Sequence, residues 1–393
     1  MNAINSTPCA MPVRSLFDEG LRIATPRRLE LLALAGCIVL SACGGGAGLS
    51  SSLPPAQVAP PAVLTPTLAA ADLAVLIAAG DPLSEAIGLA YQQARGIADA
   101  HVIRLTVPRG SDSISAADFA TLKASLDSKL PATAQAMLLT WTQPSRVVGA
   151  CSMGITSALT LGYDAKYCGG CVLTQSSPYY NADTRRPFTD LNLRPSMMLG
   201  AATLAEAKTL MARGVAADGS ALASMASTPQ AFLVRTADAA RSVRYPDFQS
   251  LAAAGLQGVK MNYIDNSDSH TSNEISGQAD VMFYLTGLSQ LTQAASNRYL
   301  PGAAADTLTS SGGALPDGYG QMPITDWLKA GATASYGTVE EPCNFTQKFS
   351  RASVLASRYR RGETLIEAYW KSVQAPGQGL FVGEPLARPW ATR

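Results

Sequence analysis

The sequence is poor in histidine and in aromatic residues, and neither sign of charge is in excess. The two histidines, His101 and His270, lie far apart in the chain, so a histidine-based metal cluster is not expected. Lys and Arg total 30 against 29 Asp and Glu, without a long run of either sign, which excludes the basic face that nucleic-acid binding needs. Aromatic residues make up 7% of the chain, whereas alanine and glycine are abundant. This balance favours a close-packed α/β protein over an all-β one.

Long apolar segments and cofactor motifs are also scarce. The apolar run at residues 31–40 is shorter than the roughly 20 residues that cross a bilayer, and no later segment is long and apolar enough to do so. No dinucleotide fingerprint follows the first predicted strand, at residues 73–80. The sequence therefore supports neither a membrane-spanning helix nor a cofactor, and no metal site is expected.

The N-terminal region predicts a lipoprotein export signal. Two arginines precede the apolar run 31–40, and two small residues separate that run from Cys43. This order is typical of a cleaved export signal that ends at a cysteine. We expect residues 1–42 to be removed and Cys43 to carry the lipid that attaches the protein to the membrane. An ordinary cleaved signal and a buried helix are the alternatives.

Residues 43–70 predict a tether between the lipid and the folded part. They contain a run of glycines directly after Cys43 and a proline-rich stretch with many small residues. Such compositions favour an extended spacer over a packed element. We expect the folded part to be exported and held in the cell envelope, facing the periplasm, at the outer membrane.

The rest of the chain indicates an α/β fold with a largely parallel sheet and flanking helices. Short apolar runs that alternate with amphipathic helices predict a first α/β half over residues 71–150. Residues 151–200 break the alternation with Gly, Pro, Asn and cysteines, and predict an irregular insertion. The alternation resumes in a second α/β half, residues 201–393, where a helix capped by Thr203 is expected to end at Gly214.

The last predicted helix, residues 363–373, is amphipathic. Large apolar side chains cluster on one face of it. Glu367 and Lys371 have the spacing of an i,i+4 ion pair on the opposite face.

Four cysteines remain beyond the leader and the lipid site: Cys151, Cys168, Cys171 and Cys343. An exported protein meets an oxidising compartment, so we expect structural disulfides, and the sequence leaves all three pairings open. The spacing of Cys168 and Cys171 also fits a redox dithiol, although no clear amphipathic helix follows it. A zinc site built from all four thiolates is a further alternative.

The densest group of chemistry-bearing residues lies between residues 280 and 341, where polar side chains and glycines follow predicted strands. Open α/β sheets place their sites at the carboxyl ends of strands. The candidate catalytic residues are Asp306, Ser310, Glu340 and Cys343. The candidate binding residues are Thr286, Gly287, Thr309, Gly312, Gly313, Tyr336 and Glu341. The alternative is that the glycines only turn the chain and that the hydroxyls cap helices.

Three C-terminal segments carry a resemblance to a known family. They read GATASYGTVEEPCN at 331–344, GETLIEAYWKSV at 362–373 and GEPLA at 383–387. They resemble a family of exported bacterial proteins whose members occur in organisms that carry the exosortase protein-sorting system. The resemblance extends over residues 73–389; it implies an exported location and a link to surface-protein sorting, and it implies no activity.

A weaker resemblance connects the chain to the caspase-like cysteine peptidases, gingipains included, and implies a caspase-like arrangement of the sheet. In those enzymes one core strand ends in His-Gly and the next ends in the nucleophilic cysteine. The matching positions here are Thr286-Gly287 and the vicinity of Thr309-Ser310, so both catalytic side chains are absent. A thiolate nucleophile needs an imidazole within hydrogen-bond reach, and neither partner stands in place.

Two functions remain open. The first is a non-catalytic caspase-like lipoprotein that binds an exported peptide or a polysaccharide during surface-protein sorting. The second is a peptidase or other hydrolase that uses Ser310 or Cys343 with Asp306, Glu340 or His270 as its partner. The missing cysteine–histidine pair favours the first function.

Overall fold

The core of the protein is a ten-stranded sheet flanked by helices, which the computed structural model describes over residues 67–221 and 228–391. The predicted signal segment, Cys43 and most of the tether lie outside the described residues. The described residues contain thirteen strands, of which ten form this sheet. The strands are β1 (Leu73–Ala78), β2 (Val102–Leu105), β3 (Ser113–Ser115), β4 (Ala136–Leu139), β5 (Arg146–Val148), β6 (Ser152–Gly154), β7 (Ser196–Met198), β8 (Gln230–Arg235), β9 (Lys260–Asp265), β10 (Val281–Thr286), β11 (Tyr299–Thr307), β12 (Ala334–Thr338) and β13 (Gly379–Gly383).

The helices connect these strands in the alternation that the sequence predicts. They are α1 (Pro82–Arg95), α2 (Ala116–Lys129), α3 (Ile155–Leu161), α4 (Pro187–Leu191), α5 (Leu204–Ala217), α6 (Tyr245–Ala254), α7 (Thr325–Ala330), α8 (Ala352–Arg360) and α9 (Leu365–Ser372). Among the described residues, no helix combines the length and the apolarity needed to cross a membrane.

The large sheet consists of two half-sheets. The first half-sheet contains β2, β1, β4, β7 and β13 in that order, and its strands are parallel to one another. The second half-sheet continues with β12, β11, β10, β8 and β9, which are also mutually parallel. The two meet at β12 and β13, which run antiparallel. The carboxyl ends of the two half-sheets therefore lie at opposite edges of the sheet, and the predicted α/β fold with a largely parallel sheet is confirmed.

The two half-sheets share a topology that the sequence does not reveal. The first four strands of each, taken in chain order, lie in the order 2-1-3-4. At the end of β1 the Ala78 N–H donates to Ser84 Oγ at 2.9 Å, and just after β8 the Thr236 N–H donates to Ser242 Oγ at 2.9 Å. Each half-sheet thus has a switch point, between β1 and β4 or between β8 and β10, where successive connections leave in opposite directions. Ligand sites in open α/β sheets lie at such points.

Local sequence signals explain the ends of several helices. Asp81 accepts hydrogen bonds from the N–H groups of Leu83 and Ser84 and caps α1, whose C-terminus is the left-handed Gly96. The sequence prediction that α5 ends at Gly214 is wrong, because this helix continues to Ala217. A Cβ atom at Gly214 would lie 2.3 Å from Glu384 Oε2, so this glycine permits close packing and does not end the helix.

Two strands of the sheet have weak local signals in the sequence. β7 is a short strand inside the predicted insertion, 151–200, and it pairs with both β4 and β13. β11 contains Pro301, Gly302 and three successive alanines, a composition that is unusual for a strand. All of β7 is buried, and β11 is buried from Gly302 to its end. Burial in the sheet therefore outweighs the weak strand propensity of these residues.

The predicted disulfides are confirmed, and the structure selects one pairing. Cys151 pairs with Cys168, and Cys171 pairs with Cys343. Cys168 and Cys171 therefore belong to different disulfides, which contradicts the redox-dithiol alternative, and the four sulfurs do not form one zinc site. The second bridge ties the 151–200 segment to the loop that follows β12.

Candidate functional site

A polar cleft opens at the carboxyl edge of the second half-sheet, near the switch point between β8 and β10. Its volume is about 370 Å³. Arg244 and Asp247, at the start of α6, line the cleft together with Ser350 and Arg351, which directly precede α8. We refer to this pocket as the Arg244 cleft.

The floor of the Arg244 cleft contains a buried ion pair. Arg244 Nη1 lies 2.7 Å from Asp306 Oδ1, and the two side chains are 4% and 2% exposed. The same Nη1 donates to Ser350 Oγ at 3.0 Å, and the Ser350 hydroxyl donates to the other oxygen of Asp306. Arg244 Nη2 donates to the Thr286 carbonyl at 2.6 Å. The floor therefore joins the ends of β10 and β11 to the starts of α6 and α8.

Several polar atoms at this floor have no hydrogen-bond partner among the described residues. They include Arg244 Nε, Thr286 Oγ1 and the Tyr369 hydroxyl. Tyr336 is satisfied, since its hydroxyl donates to the Lys348 carbonyl at 2.7 Å. Burial raises the pKa of Tyr336 far above its ordinary value, and the Asp306 charge adds to this, so Tyr336 remains a neutral donor. Buried donors without partners are uncommon, and the Arg244 Nε–H is one of them.

The rim of the cleft carries a second, more exposed ion pair. Arg351 Nε lies 3.0 Å from Asp247 Oδ1, and the Arg351 side chain is 58% exposed. Asp247 also accepts a hydrogen bond of 3.0 Å from the Ser353 N–H, in the first turn of α8. Hydrogen bonds with Tyr180 and Asp247 raise the pKa of Arg351. The rim thus presents a cation that stays charged and can contact a ligand.

Ser310 and Thr309 lie in a loop that is bound to the end of β12. The Thr338 hydroxyl donates to the carbonyls of Thr309 and Ser310, at 2.8 and 3.0 Å. The Ser310 N–H donates to Gln321 Oε1 at 2.7 Å. Within the described part of the chain, the Ser310 hydroxyl makes no hydrogen bond to a base, so the geometry offers no activation of this candidate nucleophile.

The candidate glycines allow close backbone contacts. A Cβ atom at Gly287 would lie 2.0 Å from the Arg241 carbonyl oxygen, and one at Gly313 would lie 2.6 Å from the Gly337 carbonyl oxygen. Gly312 is equally confined, since a Cβ atom there would lie 2.8 Å from a backbone oxygen. These contacts give each glycine a packing role that is independent of ligand binding.

The remaining candidates gather around the disulfide between Cys171 and Cys343. Glu341 accepts a hydrogen bond of 2.7 Å from the Cys343 N–H, and Glu340 accepts one of 3.1 Å from the Ser152 N–H. The sulfurs and a Glu341 oxygen lie within 4.8 Å of one another. Because the Cys343 sulfur is bonded to Cys171, it is not a free thiolate in this structure.

Lys348 is buried close to this disulfide. Its ammonium group donates to the Gly170 carbonyl, and its residue is fully buried. Burial lowers the pKa of Lys348 to about 8, and attraction to Glu340 and Glu341 partly opposes the decrease. Lys348 therefore holds the 151–200 segment against the loop after β12.

The histidines stand apart from the candidate nucleophiles. His101 is buried, with Nδ1 3.1 Å from the Leu73 carbonyl oxygen and Nε2 2.9 Å from Thr133 Oγ1. His270 is 81% exposed and lies 3.8 Å from Asp268. In the region that the structure describes, neither ring contacts Ser310 or Cys343.

Comparison of the chain with protein-family models, with curated proteins and with solved structures found no match. The site is therefore interpreted from its own geometry.

The structure brings together two of the candidates, Asp306 and Thr286, beneath one cleft. It places Ser310 and Cys343 in other surroundings, within the β12-bound loop and in a disulfide. Sequence reasoning missed Arg244, because an arginine before a helix is usually solvent-exposed. Its position directly before α6, after the strand at the switch point, is the signal that could have identified it.

Proposed function

We propose that this protein is an exported, non-catalytic binding protein with a caspase-like arrangement of its second half-sheet, and that it acts in exosortase-type surface-protein sorting. Its ligand is a segment of an exported peptide, held in the Arg244 cleft. The observation that carries the proposal is the buried cluster of Arg244, Asp306 and Ser350, which lies beneath a polar cleft, holds the Asp306 carboxylate in an ion pair and contains no histidine or cysteine.

The pairing of β10 with β11 supports the caspase-like part of the proposal. That resemblance requires two neighbouring parallel strands with adjacent ends, and Thr286 at the end of β10 is in register with Thr307 at the end of β11. Thr286 occupies the position expected for the histidine, and Ser310 lies close to that expected for the cysteine. Without an imidazole beside the second position, a hydroxyl there is a weak nucleophile, which favours binding over peptidase activity.

The polar groups around the cleft favour a peptide over a polysaccharide. Gln347 and Gln374 supply amide groups that match the donors and acceptors of a peptide backbone, and Arg351 supplies a charge. Sugar rings usually need an open aromatic face, but Phe349 is only 2% exposed, and Tyr180, the other aromatic residue of the lining, is partly buried and hydrogen-bonded to Arg351. An extended peptide with an acidic side chain near Arg351 fits these groups best.

Export and the sorting role have separate support. The two disulfides suit an oxidising compartment, as expected for a protein that leaves the cytoplasm. The export signal and Cys43 lie outside the described residues. The link to surface-protein sorting depends on the resemblance of the three C-terminal segments.

The proposal can be tested with a pool of fluorescein-labelled acidic octapeptides. Binding to the full chain is measured by fluorescence anisotropy, and cleavage is followed in the same samples by mass spectrometry. We expect binding without cleavage, and we expect Arg351→Gln to weaken binding about tenfold, as for the loss of one charged hydrogen bond. Arg104→Gln is the matched control, because Arg104 pairs with Glu85 on the first half-sheet and is similarly exposed.

Three results would contradict the proposal. Peptide cleavage that disappears in Ser310→Ala or Cys343→Ser would establish the hydrolase function instead. Equal loss of binding in Arg351→Gln and Arg104→Gln, at unchanged melting temperature, would remove the Arg244 cleft as the peptide site. Displacement of the bound peptides by a neutral polysaccharide such as dextran would overturn the choice of ligand.

A further inference from the structure

A second groove lies between α2, α3 and α4, at the amino ends of β4 and β7 in the first half-sheet. Its volume is about 400 Å³. The floor is aliphatic and is formed by Leu130, Met137, Leu159 and Leu193. Three of these residues are buried, with Met137 1%, Leu159 2% and Leu193 5% exposed. None of the sequence-predicted candidates lines this groove, and the inference below does not rest on the proposed function.

Arg194 lies in the wall of this groove without an acidic partner. Its guanidinium carbon is 3.2 Å from the centre of the Phe188 ring, and its Nε donates to the Ala134 carbonyl at 2.8 Å. The two Nη groups make no hydrogen bond and no ion pair within residues 67–221 and 228–391. Burial lowers the pKa of Arg194, and attraction to Asp127 opposes this only in part. The fork of the guanidinium is thus fixed in place and left open.

Three arginines whose side chains are less than one-tenth exposed are paired with carboxylates, whereas the partly exposed Arg213 donates to the Leu328 and Ala332 carbonyls. Arg95 lies 2.6 Å from Glu384, Arg244 lies 2.7 Å from Asp306, and Arg358 lies 3.4 Å from Glu363. These pairs offset the cost of removing a charge from water. Arg194 is only partly buried, and among the described residues its Nη groups have neither a carboxylate nor a carbonyl partner, which leaves them free to bind an external anion.

The charge of the groove fits a single negative group. Lys123 and Asp127, on α2, are bound to each other at 2.6 Å and cancel. Arg194 therefore supplies the net positive charge of the groove. A carboxylate matches its two Nη groups, because guanidinium and carboxylate form two parallel hydrogen bonds.

We propose that this groove binds a monocarboxylate with an aliphatic tail, of the medium-chain fatty acid class. The carboxylate accepts hydrogen bonds from both Nη groups of Arg194. The tail lies along the aliphatic floor and covers Leu130, the partly exposed member of that floor. Aliphatic tails suit a floor of leucine and methionine, whose flexible side chains adapt to the tail.

The test is calorimetric titration of the full chain with decanoate below its micellar concentration. We expect saturable binding, weakened about tenfold or more in Arg194→Gln, which keeps a donor for the Ala134 carbonyl but removes the fork. Ala132→Trp gives a second variant, since Ala132 lines the groove from its exposed rim and a large side chain there fills the space. Arg104→Gln is the control and should bind decanoate as the unmodified protein does.

Binding of decanol as tight as that of decanoate would overturn the proposal, because the alcohol cannot make the charged pair with Arg194. Decanoate binding of normal affinity in both Arg194→Gln and Ala132→Trp would also overturn it. The same holds if the unmodified protein, shown by its melting temperature to be folded, does not bind decanoate. A peptide that ends in leucine is the last competitor. If it binds more tightly than decanoate, and displaces decanoate only when its C-terminal carboxylate is free, the ligand is a peptide C-terminus and the fatty-acid proposal is wrong.

Discussion

The two half-sheets have the same strand order but differ at their switch points. In the first half-sheet the crevice between β1 and β4 has a volume of about 140 Å³, and in the second the Arg244 cleft has about 370 Å³. In the smaller crevice Ser84 Oγ and Thr140 Oγ1 lie 2.7 Å apart, and Thr140 also donates to the Leu76 carbonyl. Its hydroxyls are therefore bound to one another and to the backbone, as are those of Thr236 and Ser242 at the second switch point, so the difference in volume arises beyond this pair.

The helices at the two switch points also differ in how their first turns are capped. α1 begins at Asp81, whose carboxylate accepts hydrogen bonds from two backbone N–H groups of the first turn. α6 begins at Arg244, which provides no side-chain cap, so the first N–H groups of α6 receive no side-chain acceptor from that position. The comparison teaches that one topology can hold a small crevice beside a capped helix or a larger cleft beside a helix without a side-chain cap, depending on a few residues after the first strand.

The largest expected effect comes from Asp306→Ala, which removes the carboxylate partner of Arg244 and leaves a buried charge. We expect a loss of about 3–5 kcal/mol in the free energy of unfolding. Urea denaturation of the purified full chain measures it. Asp81→Ala is the control at the first switch point and should cost about 1 kcal/mol, as for the loss of a helix cap. Equal effects of the two substitutions would contradict the contrast between a charged floor and a simple cap.

One disulfide lies within the 151–200 segment, and the other connects that segment to the loop that follows β12 in the second half-sheet. Cys151 and Cys168 are separated by 17 residues, whereas Cys171 and Cys343 are separated by 172. We expect each double Cys→Ser variant to lose about 2–4 kcal/mol, with the larger loss for the longer loop. Melting temperatures of the two variants, compared at one protein concentration, test this order. A larger loss for the Cys151–Cys168 variant would show that loop length does not control the effect.

Matched serine substitutions test the equivalence of the two switch points directly. Ser84→Ala and Ser242→Ala each remove one buried acceptor from a strand-end N–H, and both serines are buried, at 1% and 5% exposure. We expect similar losses of about 1–2 kcal/mol in the free energy of unfolding. Ser353→Ala, on α8, serves as a control outside both switch points. If the losses caused by Ser84→Ala and Ser242→Ala differ by more than about 2 kcal/mol, the two switch points are not structurally equivalent.

The smallest expected effect is a pH dependence of stability that arises from Lys348. Burial lowers its folded-state pKa to about 8, below the ordinary value of 10.5. Between these values the unfolded chain binds more protons than the folded chain, so the free energy of unfolding should rise as the pH increases from about 8. The measurement is urea denaturation from about pH 7.5 to about pH 9, where only about a tenth of unfolded tyrosines have ionised. Lys348→Met should flatten this rise, and an unchanged slope would contradict the assignment.

Much of the fold was predictable from local patterns. The apolar runs of β1, β4 and β10 lie in strands, and Asp81 and Gly96 mark the ends of α1. These signals are local, because burial on both faces of a parallel strand requires continuous apolar residues and caps act within one turn. Of the predicted site residues, Asp306 lies near a strand end below a cleft, but local patterns do not predict its partner Arg244, which is separated from it by 62 residues.

By itself the sequence determined the α/β class, the helix caps and the presence of disulfides, since each depends on residue type and short-range spacing. The tertiary structure alone decided which cysteines pair, that two half-sheets share one strand order, and where buried charges lie. Glu367 and Lys371 illustrate this. Their spacing predicts an ion pair on a helix face, yet both are fully buried, and Lys371 binds Glu363 at 3.0 Å. Whether a charged residue faces water or a distant partner depends on the packing of elements far apart in the chain, and local spacing does not specify that packing.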